Sequence, residues 1–271
     1  MACTYCYQHH KTPNKMTFET AKKFIDNLLA DKYFITKERD KTIIVDFIGG
    51  EPLMEIELID QICTYLIDEM LRLDHPWLEH MYFSLCTNGL LYKTPKVQEF
   101  LNKFGNRLSL SVSIDGNKEL HDACRLDLEK KGTYDRAIEA VHMFKAKFGR
   151  MPGIKMTMAP ENVPYLYDAV LNLINEGYRT IYLNCVYENV WSAKDATIIY
   201  NQFKKITEYF IEHELFDKVY LSFLDYNHGH PVKEEDNNNW CGGVADNSIA
   251  MNYKGEFFPC LRYMDSSLND S

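Results

Sequence analysis

The sequence predicts a parallel α/β fold, a partial (β/α)6 barrel of the TIM type, and three observations lead to it. Apolar runs of strand length alternate with amphipathic helical stretches through residues 42–185. A helical stretch stands between each pair of runs, so the strands lie parallel with right-handed crossovers. Polar, glycine-containing tripeptides end the first three runs, where parallel sheets place their ligands.

The elements follow in order. Phe18, Ala21, Ile25, Leu28 and Leu29 fall on one helical face, with Thr17 placed as N-cap. Residues 42–48 (TIIVDFI) read as a mostly buried strand and 58–71 as a helix. Residues 81–85 form a short strand that stops at Cys86-Thr87-Asn88-Gly89. Pro95 suits the first turn of a helix over 95–104. Residues 108–114 (LSLSVSI) alternate as a strand and stop at Asp115-Gly116. A helix over 134–148 and a strand over 154–158 come next. Pro164, the apolar face Leu166, Ala169, Val170, Leu173 and Ile174, and the trailing Gly177 delimit another helix. Residues 180–185 are a strand, and Ile199, Phe203, Ile206 and Phe210 mark a last long helix. This gives five strands, and a first strand is expected before Met1, making six, too few for a closed eight-unit barrel.

The barrel is expected to occupy residues 1–218. Residues 219–224 have strand character, and 227–239 are polar and rich in Asn, Glu and His, so 219–240 read as a linker. In 241–271, residues 248–253 and 256–258 form a hairpin with Gly255 in its turn.

Composition narrows the function. The 271 residues are 46% hydrophobic, enough for one large domain and an appendage. A net charge of −9 argues against a nucleic-acid surface, which needs clustered Lys and Arg. Bilayer crossing takes about 20 apolar residues, and no run approaches that; no signal segment opens the chain, which points to the cytoplasm. Eight cysteines in such a chain point to metal or catalytic use before disulfides.

Three strand ends, Gly49-Gly50-Glu51-Pro52, Thr87-Asn88-Gly89 and Ser113-Ile114-Asp115-Gly116, describe a small-molecule site. Glycines admit close backbone approach, and Glu51 can accept hydrogen bonds from an ammonium group. Ordinary βα turns use the same residues. Cys3 and Cys6 have the C-x2-C spacing of zinc, redox and iron–sulfur sites, which alone does not choose among them. Cys63 reads as core, and packing is the expectation for Cys185. Cys86 and Cys124 lie near strand ends or loops, His228-Gly229-His230 reads as a solvated loop, and Asp225 is a candidate substrate-side base.

Taken in order, Cys3-Thr4-Tyr5-Cys6-Tyr7, Gly49-Gly50-Glu51-Pro52, Thr87-Asn88-Gly89, Ser111-Val112-Ser113-Ile114-Asp115-Gly116 and His121-Asp122-Ala123-Cys124-Arg125 resemble the motifs of radical SAM enzymes. They are most similar to the SPASM-containing group that modifies peptides and proteins, and Cys241-x13-Gly255-x4-Cys260 resembles the opening of a SPASM domain. The group's motif is C-x3-C-x2-C with an aromatic before the last Cys, the place of Tyr5. Its first Cys would lie four residues before Cys3, so the resemblance implies a fragment that lacks this Cys, the first strand and the later SPASM cysteines.

The resemblance implies a [4Fe–4S] cluster held by three thiolates, Cys3 and Cys6 among them, with S-adenosylmethionine on the open iron. Reductive cleavage would give a 5′-deoxyadenosyl radical that abstracts a substrate hydrogen. By position, Gly49 to Pro52 would hold the methionyl ammonium and Ser113 and Asn88 the ribose. The fork of Arg125 would hold the carboxylate, and backbone near Tyr5 and Tyr7 the adenine. Cys241 and Cys260 would ligate an auxiliary iron–sulfur cluster. The implied activity is a peptide maturase forming thioethers or other side-chain modifications on a ribosomal precursor, with an electron donor such as flavodoxin or ferredoxin. The alternatives are an anaerobic sulfatase-maturing enzyme and a non-catalytic, metal-stabilised peptide-binding module.

Overall fold

A computed structural model of the chain describes residues 1–6, 13–30, 43–225 and 248–264. Its centre is one parallel sheet of six strands in the order β1-β2-β3-β4-β5-β6. The strands are β1 (Ile43–Phe47), β2 (Met81–Thr87), β3 (Leu108–Ser113), β4 (Gly153–Met158), β5 (Thr180–Cys185) and β6 (Tyr220–Leu221). Helices α2 (Ile56–Arg72), α3 (Pro95–Phe104), α4 (Lys118–Cys124), α5 (Tyr134–Phe148), α6 (Leu166–Asn175) and α7 (Ala193–Glu212) stand between successive strands, and α1 (Phe18–Ala30) precedes β1. This is the α/β, partial TIM-barrel arrangement that the alternation predicts. The sixth strand is β6, parallel to β5 with Thr180 opposite Tyr220 and Ile181 opposite Leu221. The sheet thus draws its sixth strand from residues assigned to the start of the linker.

The described residues form two compact units. The first contains 13–30, 43–85, 94–109 and 248–264. Here the Thr17 hydroxyl accepts the Thr20 N–H at 3.2 Å, capping α1 as its sequence predicts. Helix α2 buries Ile56, Ile59, Ile62, Cys63, Leu66 and Met70 at helical spacing, so Cys63 is core and burial pushes its thiol pKa up. Phe83 of β2 packs between Phe47 and Phe104, with ring centroids 6.2 and 5.6 Å away. β1 is less buried than its apolar composition suggests: its residues alternate between half-buried and exposed, and Ile44 is 62% exposed. The reason is its place at the end of the sheet order, where it has β2 as its neighbour. The hairpin joins β7 (Ala250–Met251) to β8 (Phe257–Phe258). The Asn252 side-chain oxygen accepts from the Lys254 and Glu256 N–H groups in the turn.

The second unit contains 1–6, 86–93 and 110–225. One face of its strands is apolar: Val112, Ile154, Met156, Ile181 and Leu183 are buried along with Val141, Phe144, Ala169, Leu173 and Phe210 of the helices. The other face carries Ser111, Ser113, Lys155, Thr157, Tyr182 and Asn184. Ser192 and Asp195 form a capping box at the start of α7. Buried Gln202 of α7 accepts the Tyr167 N–H and donates to the Pro164 carbonyl, both at 2.8 Å, which fixes the start of α6.

Candidate functional site

The second unit builds a polar cluster where β3 and β4 end. Beyond β3, Ile114 still donates its N–H to the Lys155 carbonyl at 2.9 Å, and then the chain turns at Asp115-Gly116. Gly116 has φ +88°, and a Cβ there would sit 2.4 Å from the Ala169 Cβ, so both conformation and space demand glycine. The turn delivers Asn117 to the N-terminus of α4, where its side chain accepts the Leu120 N–H at 3.0 Å.

Helix α4 carries Arg125 back onto Asp115. Arg125 Nε donates to Asp115 Oδ2 at 2.8 Å and Nη2 to Oδ1 at 3.0 Å. The Thr157 N–H at the end of β4 also donates to Oδ1, at 3.0 Å. The Asp115 side chain is fully buried, so this charge survives because a bidentate partner and a backbone donor replace water. Burial pulls the Arg125 pKa down, but Asp115, Tyr5 and Cys3 together outweigh it and hold the guanidinium charged.

His121 closes the cluster from below. Its Nδ1 accepts the Asp115 N–H at 3.4 Å, and its Nε2 lies 3.0 Å from the Thr133 hydroxyl. That hydroxyl donates to the Arg125 carbonyl at 2.8 Å, so it accepts from His121, which fixes the neutral Nε2–H tautomer. Burial, then the Arg125 charge, pulls the His121 pKa down to about 4. The ordinary value is about 6.5, so between these limits the unfolded chain binds a proton that the folded one refuses. Stability is therefore expected to fall as pH drops from about 6.5 toward 4, by at most ~3 kcal/mol from this group, with no further loss below. Comparing unfolding midpoints of the wild type and His121→Gln across that range checks this: the variant should lack the extra slope.

The segment bearing Cys3 and Cys6 is docked on this cluster. Ala2 donates its N–H to the Leu126 carbonyl at 2.8 Å and Thr4 donates to Cys124 at 3.1 Å. Cys6 N–H reaches the Cys3 carbonyl at 3.3 Å, turning the two thiols into one loop. The Tyr5 hydroxyl donates to Asp115 Oδ2, and the Arg125 guanidinium lies 5.4 Å from the Tyr5 ring centroid. Burial first, opposed by Arg125 and reinforced by Asp115, lifts the Tyr5 pKa well above its usual range, so the phenol stays a donor. Among the described residues no group of three or more His, Cys, Asp or Glu side chains stands ready for a metal ion. Cys3 and Cys6, at C-x2-C spacing, suit an iron–sulfur centre in donor chemistry.

The other expected residues distribute as follows. The Ser113 hydroxyl faces the Cys86 thiol at 3.7 Å on the polar side of the sheet. Asn88 accepts the Leu90 N–H at 2.9 Å and Thr87 the Gly89 N–H at 3.0 Å, so this strand end is held by its own side chains. Two nitrogens of the Arg125 fork, expected to meet a ligand carboxylate, are engaged by Asp115. Asp225 follows β6 and hydrogen-bonds Tyr220. Gly49, Gly50, Glu51 and Pro52 belong to the other unit. There Gly49 has φ +141°, and Glu51 caps the short 3-10 turn Pro52–Glu55 by accepting the Leu53 N–H at 3.1 Å. Cys260, also in that unit, is half-buried and precedes the 3-10 turn Leu261–Tyr263. Tyr7, Cys241 and His228 to His230 lie outside the described residues. Sequence reasoning missed α4 and the roles of Asp115 and His121; the four-residue spacing of His121 and Arg125 was the available signal.

Residues 1–164 match the Radical SAM superfamily. The chain belongs to that superfamily. It is 29% identical over 179 residues to an uncharacterized protein of Methanocaldococcus jannaschii, covering 66% of this chain and 56% of that protein. It is 25% identical over 154 residues to a cysteine-type anaerobic sulfatase-maturating enzyme of Clostridium novyi, covering 55% of this chain and 38% of the enzyme. The chain thus spans about half or less of the length of these relatives. Among solved structures, native anSMEcpe with bound AdoMet and Kp18Cys peptide aligns with a TM-score of 0.72 at 19% identity, over 97% of this chain and 71% of that one. That likeness shows the fold. No helix among the described residues is long and apolar enough to cross a membrane.

Proposed function

We propose that this protein is a radical SAM maturase that modifies a side chain of a ribosomally made peptide, forming a thioether or a related crosslink. The observation that carries the radical reading is the docking of the Cys3-x2-Cys6 segment on the Tyr5, Asp115 and Arg125 cluster at the end of β3. The peptide substrate is supported by the relative that is a sulfatase-maturating enzyme and by the bound peptide of the structural neighbour.

In this reading Cys3 and Cys6 would be two of the thiolate ligands of a [4Fe–4S] cluster. When bound, the cluster and S-adenosylmethionine supply a 5′-deoxyadenosyl radical for hydrogen abstraction. Gly49 to Pro52 hold the methionyl ammonium, and Ser113 and Asn88 meet the ribose. The backbone at Tyr5 and Tyr7 meets the adenine. Arg125 acts as a positioning residue, orienting Asp115 and, through it, Tyr5 and the thiolate loop. Asp225 is the substrate-side base. Cys241 and Cys260 ligate an auxiliary cluster, and a flavodoxin or ferredoxin donates the electron.

Co-expression with a short cysteine-containing peptide encoded beside the gene tests this. Mass spectrometry should show the loss of two hydrogens for each crosslink, absent with Cys3→Ala or Cys6→Ala. An unchanged peptide mass beside active enzyme would contradict the assignment, and conversion of a single Cys to formylglycine would name the sulfatase-maturing reaction instead.

A further inference from the structure

Lys155 is a half-buried cation on the polar side of β4. Its strand neighbours Ile154 and Met156 point to the opposite, buried side, at 0% exposure. Register sets Lys155 beside Ser113 of β3 and Tyr182 of β5, one residue pair before the level of Thr157 and Asn184. Arg125, which reaches the Thr157 hydroxyl on the same strand, is held by Asp115. Among the described residues Lys155 itself has no carboxylate within ion-pair distance. Next to it Tyr182 and Tyr220 meet edge to face at 5.6 Å, and each is 39% exposed.

The chain's net charge is −9, and several of its exposed lysines, Lys22, Lys93 and Lys96 among them, pair with acids. A lysine kept half out of water, with no carboxylate partner among the described residues and two tyrosines alongside, is arranged to receive an anion in a partly apolar setting, where an ion pair is worth more than on an open surface. The level matters too. The thiolate loop docks at the strand ends through Asp115, whereas Lys155 stands further back along the sheet, where an extended molecule lying on the polar face would reach it.

We infer that Lys155 is a specificity residue that binds a carboxylate of the peptide substrate, an acidic side chain or the C-terminus, with Tyr182 and Tyr220 packing beside it. This rests on the peptide reading above and deepens it: the preferred peptide carries an acidic group near the modified residue. The same chemistry would suit the carboxylate of S-adenosylmethionine, and the test separates the two.

Fluorescence anisotropy would be measured with two labelled, C-terminally amidated pools of short peptides that differ at one central position, Glu or Gln. The full-length protein should bind the Glu pool roughly tenfold more tightly. Lys155→Met should erase the difference, and Lys155→Arg should keep most of it. Equal affinity for the two pools, including no binding of either, or a preference that survives Lys155→Met, would overturn the inference. So would equilibrium dialysis in which Lys155→Met weakens S-adenosylmethionine binding while the Glu preference persists, since the anion would then be the nucleotide's. None of these readouts needs a reduced cluster, so failure of the radical reading, seen as no 5′-deoxyadenosine, stays distinguishable.

Discussion

Replacing Arg125 with methionine should destabilise the protein by about 3–5 kcal/mol, because it leaves a buried carboxylate with no cation. Asp115 is fully buried, and both its oxygens are used, by Arg125, by the Thr157 N–H and by the Tyr5 hydroxyl. Removing the guanidinium strands that charge, whereas removing charge and cation together does not. The double variant Asp115→Asn, Arg125→Met should therefore recover much of the loss, and denaturant unfolding of the four-member cycle measures the coupling. Arg125→Lys should sit between the two, since an ammonium restores charge without the fork that engages both carboxylate oxygens. The loss should also reach the N-terminus. Hydrogen exchange at the Ala2 and Thr4 amides, which bond to Leu126 and Cys124, should accelerate in Arg125→Met more than amides in the hairpin of the other unit.

Gly116→Ala should cost a similar amount, about 2–5 kcal/mol, from two separate sources. A left-handed backbone costs an L side chain roughly 1–2 kcal/mol, and forcing a methyl into filled space costs roughly 1–3 more. The clash is with Ala169 at 2.4 Å to its Cβ and 2.9 Å to its Cα, and Ala169 lies in α6, which must retreat as a body. Adding Ala169→Gly should relieve part of the steric share and none of the backbone share, at the cost of about 1 kcal/mol of helix propensity. If Gly116→Ala unfolds at the wild-type midpoint, the packing of α6 against the Asp115-Gly116 turn is not as described.

Long periodic elements were legible because one physical rule governs each. The helix Pro95–Phe104 and the strand Thr180–Cys185 lie where proline placement and apolar alternation put them. Helix α4 was not, because Lys118–Cys124 is seven residues long and mostly polar, too short to display a period. The two-residue strand β6 has the same difficulty, since its pairing with β5 makes it a strand. Burial of β1 was overestimated because an apolar run does not reveal which strand stands at the end of a sheet.

The candidate site divided in the same way. Cysteine spacing and the strand-end tripeptides are local signals and were visible at once. The pairing of Asp115 with Arg125 depends on a turn that only the fold supplies, so an arginine expected to face a ligand is found holding the site together. His121 shows its function only through both ring nitrogens, each of whose partners comes from outside α4.

The most direct measurement is release of 5′-deoxyadenosine from S-adenosylmethionine under anaerobic, reducing conditions. It should use the protein reconstituted with iron and sulfide. The account predicts release by the wild type and none above background from Cys3→Ala or Cys6→Ala. A protein that shows the spectrum of a four-iron cluster yet releases no 5′-deoxyadenosine, or cysteine variants that release it undiminished, would contradict it.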